Sequence, residues 1–100
     1  MSAALPNSSN TMPKAVFITG AAKRVGAEIA RTLHAAGCNV VIHCNRSKAE
    51  ADALAAALNL ARPKSAAVVS GDLLADNALK GLIDQAHSCF GRLDGLVNNA

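Results

Sequence analysis

Apolar side chains along this chain follow two rhythms. Short runs without clean alternation, at Ala15–Thr19, Val40–Ile42, Ala66–Val69 and Leu93–Val97, are separated by stretches in which apolar residues return every three or four positions. A short continuous run reads as a parallel strand covered on both faces, and a three-to-four spacing reads as one face of a helix. The first helical stretch runs from Arg24 to about Ala36, with Val25, Ile29, Ala30, Leu33 and Ala36 as its apolar face and Gly37 closing it. The second follows Ser47, which with Glu50 three positions on has the spacing of a capping box. Its buried stripe is predicted to be Ala51, Leu54, Ala57 and Leu58, and Pro63 stops it. The third starts at Asp76 or Asn77, carries Leu79, Leu82, Ile83, Ala86 and Phe90, and ends at Gly91. This order predicts a single α/β unit of βαβαβαβ form, with parallel strands and right-handed crossovers.

Composition narrows the choice. One hundred residues suffice for one small domain. A hydrophobic fraction of 51% against 17% charged excludes a disordered or solvating chain. Only 2% of residues are aromatic, so helices can sit close to a sheet but no platform exists for stacking nucleic-acid bases. The net charge is +3, and no basic block is longer than Lys23-Arg24; nucleic-acid binding is not expected. Cys38, Cys44 and Cys89 form an odd set without CxxC, which fits a reducing compartment. His34 and Cys38 are four apart, but Gly37 interrupts the helix between them, so no metal site is expected. Residues 1–13 lack a basic start and an apolar run, and read as a flexible polar extension ahead of a domain beginning at Lys14. No stretch approaches the ~20 apolar residues of a membrane span, and a soluble, cytoplasmic protein is expected.

Candidate chemistry gathers around Lys14–Gly26, KAVFITGAAKRVG. A strand, a glycine turn and a helix start aim backbone N–H groups at one place, which suits a phosphate. Gly20 and Gly26 are present, and Arg24 stands where a GxGxxG pattern has its middle glycine. One reading leaves these glycines to turning and packing alone. The other adds an anion, which would also relieve the unfavourable placement of the Arg24 cation at a helix start. Arg46 is the second clue. A site that prefers a free ribose 2′-hydroxyl places Asp or Glu after the second strand, yet no acid occurs between Glu28 and Glu50. Asn45-Arg46-Ser47 suits a 2′-phosphate instead, hence NADP rather than NAD if a dinucleotide binds. Asp72 either caps a turn or accepts from an adenine amino group, and Asn98 and Asn99 either make a turn or touch a cofactor. No His, Cys or carboxylate has a recognisable catalytic partner, so the catalytic residues are unknown.

Together TGAAKRVG (Thr19–Gly26), Asp72-Leu73 and LVNNA (Leu96–Ala100) resemble the amino-terminal motifs of the short-chain dehydrogenase/reductase family, over Lys14–Ala100. TGxxxRxG with His43-Cys44-Asn45-Arg46-Ser47 is similar in particular to the pteridine reductases. The resemblance implies a Rossmann-type doubly wound parallel sheet with helices on both faces. It implies that Thr19, Gly20, Lys23, Arg24, Val25 and Gly26 surround the pyrophosphate, with Arg24 also near the pterin. His43, Asn45, Arg46 and Ser47 would lie on the 2′-phosphate side, Asp72 and Leu73 beside adenine, and Asn98 and Ala100 along the ribose and nicotinamide. Cys44 departs from an aromatic residue often found there. The implied activity is NADPH-dependent hydride transfer to a pterin or folate of the dihydrobiopterin or dihydrofolate kind. The alternatives are another carbonyl substrate, such as a 3-ketoacyl group, or a non-enzymatic dinucleotide-binding protein. The family's Tyr-x-x-x-Lys lies beyond an NNAG-like motif, so residues 14–100 are expected to be the N-terminal half of the nucleotide-binding domain of a longer, homotetrameric enzyme. Alone they are expected to be inactive and poorly folded.

Overall fold

Four strands and three helices alternate along the chain: β1 (Ala15–Ile18), α1 (Arg24–Ala35), β2 (Asn39–Cys44), α2 (Lys48–Ala61), β3 (Ala66–Ser70), α3 (Ala78–Phe90) and β4 (Gly95–Val97). The computed structural model describes residues 13–75 and 77–99; Asp76, Ala100 and nearly all of the expected N-terminal extension lie outside the described residues. All strand pairs are parallel, in the order β3-β2-β1-β4. The chain thus steps outward from β1 to β3 and then crosses to the other side of β1. That reversal opens a crevice beyond the carboxyl ends of β1 and β4, where ligands of open α/β sheets bind.

The sheet divides the core in two. On one face Ile18, Val40, Ile42 and Cys44 meet Ala27 and Ala30 of α1 and Ala51, Leu54, Ala55 and Leu58 of α2. On the other, Phe17, Val41 and Val69 meet Leu82 and Ala86 of α3, with Ile83, Phe90 and Leu93 packed alongside. Helices therefore cover both faces, which explains why the strand sequences do not alternate with polar residues.

Several local expectations are corrected. Of the apolar face expected for α1, Ala30 is buried, alongside Gly26, Ala27 and His34, and Ala36 is exposed. Val25 is 65% exposed, and Ile29 and Leu33 are half-buried. Gly26, Ala27 and Ala30 let the first turns of this helix lie close to the strands, and Ile29 and Leu33 pack partly buried against the same core. In α2, Ala55 is buried and Ala57 is exposed. In α3, Leu79 is 44% exposed. β2 continues through His43 and Cys44, which pair with Val69 and Ser70 of β3 and are buried. The Ser47–Glu50 capping box is not made: Ser47 precedes α2 with φ −93° and ψ 47° and makes no side-chain cap. Glu50 faces Lys23 instead, at 3.6 Å.

Two polar ties hold the sheet at the end away from the crevice. Asp94 accepts from the Ala15 N–H at 2.8 Å and from Arg92 Nε and Nη2 at 2.7 Å each, joining the approach to β4 to the start of β1. The Arg92 fork, then the Ala15 N–H, lowers the Asp94 carboxyl to about 2.

The second tie is buried. His34 Nε2 lies 2.6 Å from Ser65 Oγ, and the Ser65 hydroxyl also reaches the Arg62 carbonyl. Arg62 donates to the His34 and Cys38 carbonyls at 2.9 and 2.6 Å, closing the C-terminus of α1. Burial, and secondarily the Arg62 charge, lowers the His34 pKa below its ordinary 6.5. The folded state therefore resists a proton that the unfolded chain accepts. Stability from this site is complete above pH 6.5 and declines as the pH falls below it. Urea midpoints measured from pH 7.5 to 5 should fall, and His34→Gln should flatten that slope; an unchanged slope in the variant would remove His34 from the account.

Candidate functional site

At the carboxyl end of β1 the chain must turn, and three consecutive amides are taken up by neighbouring strands. Thr19 N–H donates to the Val97 carbonyl at 3.0 Å, Gly20 N–H to His43 Nδ1 at 3.0 Å, and Ala21 N–H to the His43 carbonyl at 2.9 Å. Gly20 adopts φ 61°, a conformation free of penalty only for glycine. The first bond of α1 runs from Ala27 N–H to the Lys23 carbonyl at 3.3 Å. The amides of Arg24, Val25 and Gly26 precede it and are the donors that a helix start leaves for an anion.

Gly26 fits where no side chain can. A Cβ there would lie 2.3 Å from the Gly20 carbonyl oxygen, 2.6 Å from Asn99 Nδ2 and 2.8 Å from Ala21 Cα. Arg24, the residue in place of a middle glycine, has φ 56°. An L-residue pays about 1–2 kcal/mol for that conformation, and such strain concentrates at functional turns.

β4 locks the same turn from the other side. Thr19 Oγ1 approaches the Val97 carbonyl and Asn98 Oδ1 at 3.4 and 3.2 Å and accepts from Asn99 N–H at 2.9 Å. Asn99 Nδ2 donates to the Gly20 carbonyl at 3.1 Å. Thr19 is thus buried within the fold, and Asn99 is a turn-holding residue that local sequence could not separate from a cofactor contact.

Three hollows adjoin along this rim. The first, about 140 Å³, is lined by Gly20, Lys23, His43, Asn45, Arg46 and Ser47, with Ala22 and Cys44 completing its wall. No carboxylate lines it, while Arg46 is exposed and Ser47 half-buried. The second, about 310 Å³, shares His43 and Asn45 and adds Asp72, Leu73 and Leu74. The third, about 270 Å³, shares Leu73 and is lined also by Thr19, Leu79, Leu96 and Asn98. Asp72 Oδ1 accepts from Leu74 N–H at 2.9 Å, so its turn-capping role is formed. Arg24 and Val25 line none of these three hollows; they border an outer groove of about 880 Å³ that shares Ala22 and Lys23 with the first and also borders Ile29 and Leu33. Ala100 lies outside the described residues. Among the described residues no three His, Cys, Asp or Glu side chains are grouped to hold a metal ion, and no helix is long and apolar enough to cross a membrane.

The sequence and fold of this chain are similar to those of known proteins. Residues 14–100 match the family model described as short chain dehydrogenase. The chain belongs to the short-chain dehydrogenase family. Pteridine reductase 1 of Leishmania tarentolae is 42% identical over 92% of this chain and 37% of the relative. The 3-oxoacyl-[acyl-carrier-protein] reductase FabG of Staphylococcus aureus is 36% identical over 89% of this chain and 36% of the relative. Among solved structures, FolM alternative dihydrofolate reductase 1 of Brucella canis, complexed with NADP, superposes with a TM-score of 0.81 at 41% identity, over 87% of this chain and 34% of that one. The chain spans about a third of the length of these short-chain dehydrogenase relatives, and its four strands are the Rossmann-type doubly wound sheet of that fold.

Proposed function

We propose that this chain forms the nucleotide-binding part of an NADPH-dependent reductase of pterins or folates. The observation that carries the cofactor assignment is the first hollow, where Arg46, Ser47 and Lys23 surround a space free of carboxylate. A 2′-phosphate requires that donor set, and an acid there would repel it. The chain's own residues also fit the rest of a dinucleotide. The leftover amides of Arg24–Gly26 would take the pyrophosphate, and Asp72 with Leu73 would border the adenine. Asn98 and Ala100 would follow the ribose and nicotinamide. When bound, NADPH supplies the hydride. The pterin assignment is supported by the likeness to pteridine reductase 1 and to FolM, together with arginine at position 24. Residence in the cytoplasm as part of a homotetramer belongs to the same reading; the three free thiols, Cys38, Cys44 and Cys89, support the reducing compartment.

A second reading, reduction of a 3-oxoacyl group, is favoured by the 36% identity to FabG. Both readings are tested by following NADPH oxidation by the whole enzyme with dihydrobiopterin, dihydrofolate and a 3-oxoacyl thioester. The expected result is turnover of a pterin or folate, at least about tenfold better with NADPH than with NADH. Turnover confined to the thioester would select the second reading. Nucleotide binding without turnover of any of the three would overturn both.

A further inference from the structure

His43 is buried at the carboxyl end of β2, edge-on to Phe17 with ring centroids 6.1 Å apart. Its imidazole is satisfied from both sides. A backbone amide can only donate, so the Gly20 N–H at 3.0 Å fixes Nδ1 as an unprotonated acceptor. Nε2 faces the Gly71 carbonyl at 2.8 Å, which can only accept, so Nε2 carries the proton. The ring is therefore the neutral Nε2–H tautomer, bridging the β1 turn and the end of β3. The His43 backbone carbonyl holds the next amide, Ala21 N–H, and Gly71 N–H returns to the Cys44 carbonyl at 3.0 Å. With both nitrogens committed, the imidazole has no N–H left for a phosphate on the 2′ side.

We infer that His43 is a positioning residue that sets the phosphate-binding turn by holding the Gly20 amide in place. It acts through Gly20, whose carbonyl contacts the Gly26 cradle and Asn99. Small displacements there move the amides at the start of α1 together. This role rests on the dinucleotide reading above only for its effect on affinity; the hold on the turn itself is a property of the protein without ligand.

The two halves of the bridge are separable. Asparagine places an oxygen near the position of Nδ1 and keeps the Gly20 acceptor, whereas glutamine reaches toward Gly71 and loses it. The whole enzyme carrying His43→Asn, His43→Gln or His43→Leu is labelled with 15N-glycine, and exchange of the Gly20 amide is measured beside NADPH titrations. The expected result is Gly20 protection and NADPH affinity within about threefold of wild type in the asparagine variant. Both should fall by about tenfold in the glutamine and leucine variants. Equal loss in the asparagine and glutamine variants, or undiminished Gly20 protection in leucine, overturns the inference. If the wild type binds no nicotinamide coenzyme while Gly20 protection still divides asparagine from glutamine, the proposed function falls and the role of His43 in the turn stands.

Discussion

Gly26→Ala is expected to abolish measurable NADPH binding and to lower the melting temperature of the whole enzyme. The added methyl would meet the Gly20 carbonyl at 2.3 Å and Ala21 Cα at 2.8 Å, both backbone atoms that cannot rotate aside. It would also meet Asn99 Nδ2 at 2.6 Å, displacing the amide that bonds Gly20. Relief requires α1 to withdraw from the turn, which carries the leftover amides away from their common focus. Overpacking of a well-packed site costs about 1–3 kcal/mol, and here the lost Asn99 bond adds about 1 kcal/mol. Affinity should fall at least a hundredfold, since every phosphate donor moves at once. Gly81→Ala is the control. It lies within α3 with nothing within 4 Å of the new methyl, and alanine there should stabilise by about 0.5–1 kcal/mol without affecting binding. Thermal melts with NADPH titrations distinguish them, and an alanine at 26 that binds as wild type would show that the close approach is dispensable.

Arg46→Ala should weaken NADPH by about 10–100-fold and leave NADH within about twofold. A charged hydrogen bond contributes about 1.5–3 kcal/mol, and only the 2′-phosphate can receive it. Lys23 is a weaker contributor to discrimination because Glu50 already faces it at 3.6 Å. Arg46 is exposed, so its effect should shrink as salt rises above about 0.15 M. Arg46→Asp should go further and reverse the preference by repelling the phosphate. Titrations of both coenzymes at fixed ionic strength decide the matter: equal losses for NADPH and NADH would place Arg46 in general stability rather than in 2′-phosphate recognition.

What could be read along the chain was whatever depends on neighbours in sequence. Runs such as Val40–Ile42 located strands, and the Leu82–Ala86 spacing located a helix, because burial on one side repeats with the local period. The inner face of α1 was legible only in part. Ala30 of the expected stripe is buried and Ile29 and Leu33 pack partly buried beside it, but Val25 is exposed, and Gly26 and Ala27 sit against the sheet in its place. Arg46 and Ser47 could be placed after the second strand from sequence, and they line one hollow with Gly20, Lys23, His43 and Asn45. His43 read as loop because a polar residue after Ile42 gives no sign that acceptors and donors await it 23 and 28 positions away. Ser47 and Glu50 matched a local motif that is not formed: Ser47 makes no side-chain cap and Glu50 faces Lys23.

The bonds between Thr19 and Asn99 join residues eighty positions apart. Closing so large a loop is entropically slow and is compensated only when β4 docks beside β1. The β1 turn is therefore complete only once β4 has docked beside β1.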